Sequence, residues 1–283
     1  MNKFLTLVAL SLTLVAHAGN RKVVYGDDNR LDVYESNNAL FIELAKSTAA
    51  MVPVGAIASR NGEKVISGQT MRAQGYCASE RFSNQITAAR CSGFLVGPKL
   101  LVTAGHCIEN VSECASNKWV FDYKVENGGT VNITVPTSSV YGCSRIVSRS
   151  LQGGNGDDYA LVELDREVTD RAPLKFRKTG RVAVGTNLVV IGHPTGLPTK
   201  IADGAVVRSV TSIFFRANLD TYGGNSGSAV FDARTGVVEG ILVRGENDYV
   251  NNGSCRATNY CSATGCRGED VTHITNVRGL PTR

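Results

Sequence analysis

The sequence predicts an all-β fold of short strands joined by glycine-rich turns. Three observations lead there. Short runs of β-branched and aromatic residues recur along the chain, bounded by Gly, Asn, Asp and Pro clusters. The 283 residues include 30 glycines without a three-residue period, which supplies turns and excludes a collagen-like chain. A single segment, Asn38 to Ala50, has helix-like spacing, with Leu40, Leu44 and Ser47 recurring on one side. Regular short strands of this kind favour a sandwich or a barrel over βαβ units.

From the N-terminus, residues 1–18 read as an export signal. Lys3 supplies the positive start, Phe4 to Ala16 are almost wholly apolar, and Ala16-His17-Ala18 is a small-x-small cleavage site. That apolar stretch falls well short of the roughly 20 residues a membrane-spanning helix needs, so an uncleaved anchor is the weaker alternative. Residues 19–50 form an N-terminal segment open to trimming, since Arg21 and Lys22 precede Val23. Strands are expected at Gly93 to Val96, Leu100 to Thr103, Trp119 to Tyr123, Val131 to Val135 and Tyr159 to Leu164. Later ones are expected at Leu188 to Ile191, Ser209 to Leu219, Ser228 to Phe231 and Val237 to Val243. Residues 51–170 and 171–283 thus make two strand-rich blocks. Asp165 to Arg181, charged and without alternation, connects them.

Composition narrows the function classes. The chain is 42% hydrophobic and 19% charged, too apolar to stay disordered. A net charge of +5 without a Lys/Arg block gives nucleic acid no electrostatic footing. All eight cysteines lie beyond the signal, and an even number in an exported chain implies disulfides. Zinc is the rival reading, but no CxxC pair occurs and Cys255, Cys261 and Cys266 lack finger or ribbon spacing.

Three short motifs carry chemistry. Leu101 to Cys107 runs an apolar strand into a small-residue turn that presents His106. His193 and His273 have no such frame and read as structural. Gly223 to Ser228 places Ser226 between glycines, which lets the backbone turn sharply and its N–H groups converge where an oxyanion would form. The Ala229 to Phe231 strand follows at once, unlike the strand-to-helix elbow of α/β-hydrolases. Gly156 to Leu164 sets an acid pair, Asp157 and Asp158, at the start of a strand. Each motif alone is ordinary: a surface histidine, a solvated turn, a loop-ending aspartate. Together they offer a nucleophile, a base and a carboxylate to orient the imidazole.

In this order the motifs resemble the chymotrypsin-type serine proteases. Thr103-Ala104-Gly105-His106-Cys107 is similar to that family's histidine signature, Asp158-Tyr159-Ala160-Leu161 to its aspartate motif, and Gly224-Asn225-Ser226-Gly227 to its serine motif. The resemblance covers about Cys91 to Gly245. It selects Asp158 over Asp157 and implies a Cys91–Cys107 disulfide spanning the histidine. Asn225, the run Val23 to Arg30 and the segment Ile191 to Gly196 resemble the bacterial V8-like, glutamyl-endopeptidase branch. The tail from Cys255 to Cys266 lies outside the matched pattern.

The resemblance implies two antiparallel β-barrels with the active site in the cleft between them. His106 and Asp158 would come from the first barrel and Ser226 from the second, with the Gly224 and Ser226 N–H groups as oxyanion hole. The implied function is a secreted or periplasmic serine endopeptidase, a monomer acting on proteins or peptides without metal or organic cofactor. The alternatives are a non-proteolytic binding protein or an esterase on the same fold. Asp220, six residues before Ser226, is expected at the floor of the substrate pocket, with Thr221 beside it and Arg244 on a wall. Leu242 stands where the Glu-specific relatives use a histidine, so basic residues are expected over acidic ones at the cleaved position.

Overall fold

The computed structural model describes residues 24–126, 132–153 and 156–282. The signal at 1–18, the dibasic pair at 21–22, Val23 and Val131 lie outside the described residues. The chain opens with β1 (Val24–Tyr25) and β2 (Leu31–Asp32) and then α1 (Ala39–Ala45). The Asn38 side chain caps α1 by accepting the Leu40 and Phe41 N–H groups, and Phe41, Leu44 and Ala45 are buried. The helix stops at Ala45, five residues before the expected end at Ala50. Thr48 to Val52 are buried in a strand, and tertiary pairing overrides the local helical spacing there.

That strand, β3 (Thr48–Pro53), begins the first barrel. Ribbons of β4 (Ile57–Arg60), β5 (Glu63–Ser67), β6 (Gln69–Thr70) and β7 (Ile86–Thr87) follow, then β8 (Cys91–Gly97), β9 (Leu100–Thr103) and the short α2 (Val111–Ser116). The half is completed by β10 (Asn117–Phe121), β11 (Asn132–Pro136), β12 (Val140–Leu151) and β13 (Asp158–Leu164). The barrel closes in the order β10-β12-β13-β9-β8-β3. Phe94, Leu95, Leu101, Trp119, Phe121 and Leu161, all buried, share one apolar cluster. β11 pairs instead with β5 in a three-stranded side sheet. The twelve-residue β12 was not expected, because its small and polar residues hide the alternation and its two bulges break the period.

Residues 165–186 carry the chain across. Val168 and Leu174 N–H groups donate to Pro98 and Leu95 carbonyls of the first half, and Arg177 N–H to Val238 of the second. The second barrel follows as β14 (Asn187–Gly192), β15 (Lys200–Val210), β16 (Phe214–Ala217), β17 (Ala229–Asp232) and β18 (Val238–Arg244). After the ribbon β19 (Tyr249–Asn252) and β20 (Cys255–Thr258) come β21 (Tyr260–Cys261) and β22 (Glu269–His273). The order β14-β17-β18-β22-β16-β15 closes through β14–β15 pairing. The expected strand Ser209 to Leu219 is two strands of a hairpin, since Thr211 N–H donates to Phe214 O and Thr211 Oγ1 takes the Ile213 and Phe214 N–H groups.

The N-terminal segment is built into this second half. β2 pairs with β15, and β1 runs parallel to β21. Arg30 is buried with its guanidinium 4.3 Å from the Tyr222 ring and ion-paired to Asp28. Four disulfides join Cys77–Cys255, Cys91–Cys107, Cys114–Cys143 and Cys261–Cys266. No helix among the described residues is long and apolar enough to cross a membrane.

Candidate active site

His106 sits in the turn that leaves β9. Gly105 must precede it without a side chain, because a Cβ there would lie 2.2 Å from Ser150 O. Asp158 opens β13, whose register against β9 brings the two residues together. The buried Asp158 carboxylate grips the histidine twice. Its Oδ1 accepts the His106 main-chain N–H at 3.1 Å, and its Oδ2 takes the ring Nδ1–H at 2.8 Å. That bond fixes the tautomer and leaves Nε2 as the basic nitrogen. Asp157, next door, turns away and accepts from Asn276 Nδ2 at 2.7 Å.

Ser226 comes from the loop between β16 and β17, and β8 holds that loop against the first barrel. Ser92 N–H donates to Ser226 O at 2.8 Å, and Ser92 Oγ donates to Gly224 O at 2.9 Å. Gly224 has φ +93°, and a Cβ on it would meet His193 O at 2.5 Å, so only glycine fits this turn. Asn225 is buried and accepts from Ser228 Oγ. Among the described residues, the Gly224 and Ser226 N–H groups donate to nothing, and Ser226 Oγ makes no hydrogen bond. Free N–H groups beside a hydroxyl can stabilise developing negative charge on an oxygen.

The cavity that Ser226 lines has a volume of about 140 Å³, and Thr221 to Gly223, Leu242 to Glu246, Asp248 and Glu269 complete its lining. Thr221 and Arg244 are among the lining residues. Asp220 is not, and its expected place at the floor is corrected. Its Oδ1 accepts the Tyr25 main-chain N–H at 2.7 Å, so β1 draws the carboxylate toward the N-terminal segment. Burial pushes Asp220 up to about 7. Arg244 does not pair with it. That guanidinium reaches Asp270 Oδ2 at 3.5 Å, Gly156 O at 3.2 Å and Asp158 Oδ2 at 3.9 Å.

Three acids line the cavity, Glu246, Asp248 and, at the start of β22, Glu269, and sequence reasoning singled out none of them. The one signal for Glu269 was an acidic pair, Glu269-Asp270, beyond the Cys91 to Gly245 stretch that the resemblance covers. His193 and His273 are both buried, and each ring bonds a carbonyl, Leu197 O and Thr211 O. Burial pushes His193 down to about 3, so it stays neutral.

A family model described as "trypsin-like peptidase domain" matches residues 91–241. A glutamyl endopeptidase of Bacillus licheniformis is 31% identical over 147 residues, 50% of this chain. The chain covers 45% of that relative's own length. Among solved structures, the Vibrio cholerae VesB protease has a TM-score of 0.53 at 17% identity, covering 87% of this chain and 65% of that one. A Glu endopeptidase in complex with MPD gives 0.49 at 18% identity, over 85% of this chain and 94% of that one. The family match takes in β8 through β18, with the His106 turn, Asp158 and the Ser226 loop inside it, and covers more than half of the sequence. The chain belongs to the trypsin-like peptidase domain family.

Proposed function

We propose that the protein is a secreted serine endopeptidase acting through His106, Asp158 and Ser226. The observation that carries the reading is the Ser226 loop, docked by Ser92 beside the His106 turn with two N–H groups free. Ser226 Oγ attacks the scissile carbonyl carbon while His106 Nε2 takes its proton. The tetrahedral oxygen accepts from the Gly224 and Ser226 N–H groups, each such donor contributing about 2.7–4 kcal/mol to the transition state. His106 then protonates the leaving amine, and water repeats the sequence on the acyl-enzyme. Asp158 holds the imidazole and stabilises its cation. A Ser–His bond that is long without substrate tightens when the substrate closes the site. Export is supported by the N-terminal signal and by eight cysteines all in disulfides.

The test is fluorophosphonate labelling of the purified protein, with Ser226→Ala as control, followed by casein digestion. Labelling that depends on Ser226, together with digestion, is expected. Labelling with ester turnover and no peptide cleavage would assign an esterase. No labelling would leave a binding protein.

A further inference from the structure

We propose that Glu269 determines specificity in the Ser226 cavity, selecting lysine or arginine at the cleaved position and rejecting glutamate. This rests on the serine endopeptidase reading above. The cavity marks the site, because Ser226 itself lines it and a side chain held there places its own carbonyl at the nucleophile.

The chemistry of that cavity follows from where its charges go. Glu269 is 3% exposed. Its Oε1 accepts from Tyr25 Oη and from Glu246 N–H, both at 3.2 Å, and its Oε2 from Thr221 Oγ1 at 3.0 Å. These donors hold the carboxyl in place, and none of them supplies a positive charge. A Cβ on Gly245 would overlap Glu269 Oε2 at 1.7 Å, so the carboxyl lies directly against the β18 exit. Asp248, whose Oδ2 accepts the Gly223 N–H at 2.6 Å, and Glu246 complete an acidic wall.

The nearby guanidinium groups cluster on Asp270 instead of pairing with these acids. Arg216 and Arg267 pair with Asp270 at 2.8 and 2.7 Å, and Arg244 faces Asp270, Gly156 O and Asp158. Among the described residues, none of Glu246, Asp248 and Glu269 has a salt-bridge partner. A lysine or arginine side chain would supply the missing charge through charge-assisted bonds. A glutamate side chain would find Arg244 as the one cation among the lining residues, already shared by Asp270, Gly156 O and Asp158, and so gains no charge-assisted partner of its own. The cavity of this chain therefore differs in preference from what the name of its Bacillus licheniformis relative states.

Proton linkage gives a second readout. Burial pushes Glu269 up to about 8 and Asp248 up to about 6. The groups facing Glu269 are Tyr25 from β1, Glu246 and Asp248 from the loop after β18, and Arg267 before β22. The empty pocket holds Glu269 largely protonated at pH 7, and a bound cation displaces that proton. Preference for lysine over its neutral counterpart therefore rises as pH climbs through about 8.

The experiment uses the purified full chain and peptides that differ only before the scissile bond, carrying Lys, Arg, Gln or Glu. Lys and Arg should exceed Gln in kcat/KM by at least about tenfold, as charged hydrogen bonds are worth, with Glu lowest. E269Q should bring the Lys-to-Gln ratio near one and E269D should restore part of it. D220N, outside the cavity, should leave that ratio in place. The wild-type ratio should rise from pH 6 to 9. A glutamate preference, or a ratio unmoved in folded E269Q, overturns the proposal. Should E269Q fail to fold, the wild-type profile and its pH dependence still decide. Fluorophosphonate labelling of Ser226 separates the two failures. Labelled enzyme without a basic preference sinks this inference alone, whereas unlabelled enzyme sinks the serine endopeptidase reading beneath it.

Discussion

Asp157 and Asp158 are adjacent in sequence and opposite in role. Asp158 faces His106 with both oxygens, while Asp157 faces Asn276. Asp158→Asn should cost about 10⁴ in turnover, because an amide NH₂ at Nδ1 favours the wrong imidazole tautomer. Asp157→Asn should leave turnover near wild type, and steady-state kinetics on one peptide substrate compares them. If Asp157 proved the critical acid, the assignment of Asp158 would be wrong. Asp220 makes a different residue-scale test. Its folded-state value of about 7 lies above the ordinary 3.8. The folded state therefore keeps a proton that the unfolded chain has released. The resulting cost is absent below pH 3.8 and complete above about 7. Asp220→Asn removes that cost, so its melting temperature minus that of wild type should grow from pH 4 to 7 and then level off. A difference that is flat with pH would refute the account.

At the scale of elements, β2 is a two-residue strand with a large consequence. It carries Asp32 to Lys200 of β15, and both side chains are 2% exposed, with Nζ to Oδ1 at 2.6 Å. Gln85 Oε1 and Pro198 O accept the other two ammonium protons. Burial still lowers Lys200 to about 8. Asp32→Asn leaves a buried cation without its anion and should cost about 3–5 kcal/mol. Replacing both partners, as D32N with K200M, should recover most of that loss. Urea unfolding of the single and double variants measures it, and equal losses in both would mean the pair itself is not what anchors β2. The same logic shows why α1 is short. Its cap and apolar face were readable, but the barrel's demand for a sixth strand from residues 48–53 was not.

At the scale of the molecule, the proposed site is assembled across a junction. His106 and Asp158 come from one barrel and Ser226 from the other, so the relative placement of the halves sets their geometry. Cys77–Cys255 ties the first half to the second over 178 positions. A loop of that size is worth up to about 5 kcal/mol in the chain-entropy model. The double variant C77S/C255S should unfold at lower denaturant and lose peptide cleavage before it loses secondary structure. Coincident loss in circular dichroism and activity would show that the halves do not separate. The sequence required a bridge between halves if all its cysteines paired, since three of the six beyond Cys91 and Cys107 lie in each. It left fifteen connectivities open, and only proximity in the fold selects Cys77 with Cys255.

What could be read from residues alone was local or motif-borne. Strand runs such as Leu100 to Thr103, the turn glycines, the Asn38 cap and the three short motifs each declare themselves within a few positions, because backbone sterics and side-chain alternation act over that range. What the tertiary structure decided is long-range. It set which acids line the cavity, which arginines are occupied by Asp270, where β12 and β22 pair, and that Asp220 serves the N-terminal segment. Glu269 and Thr221 are 48 positions apart, and Tyr25 lies 244 positions from Glu269. Electrostatic fate depends on distance and desolvation in space, and neither is recorded in the order of the chain.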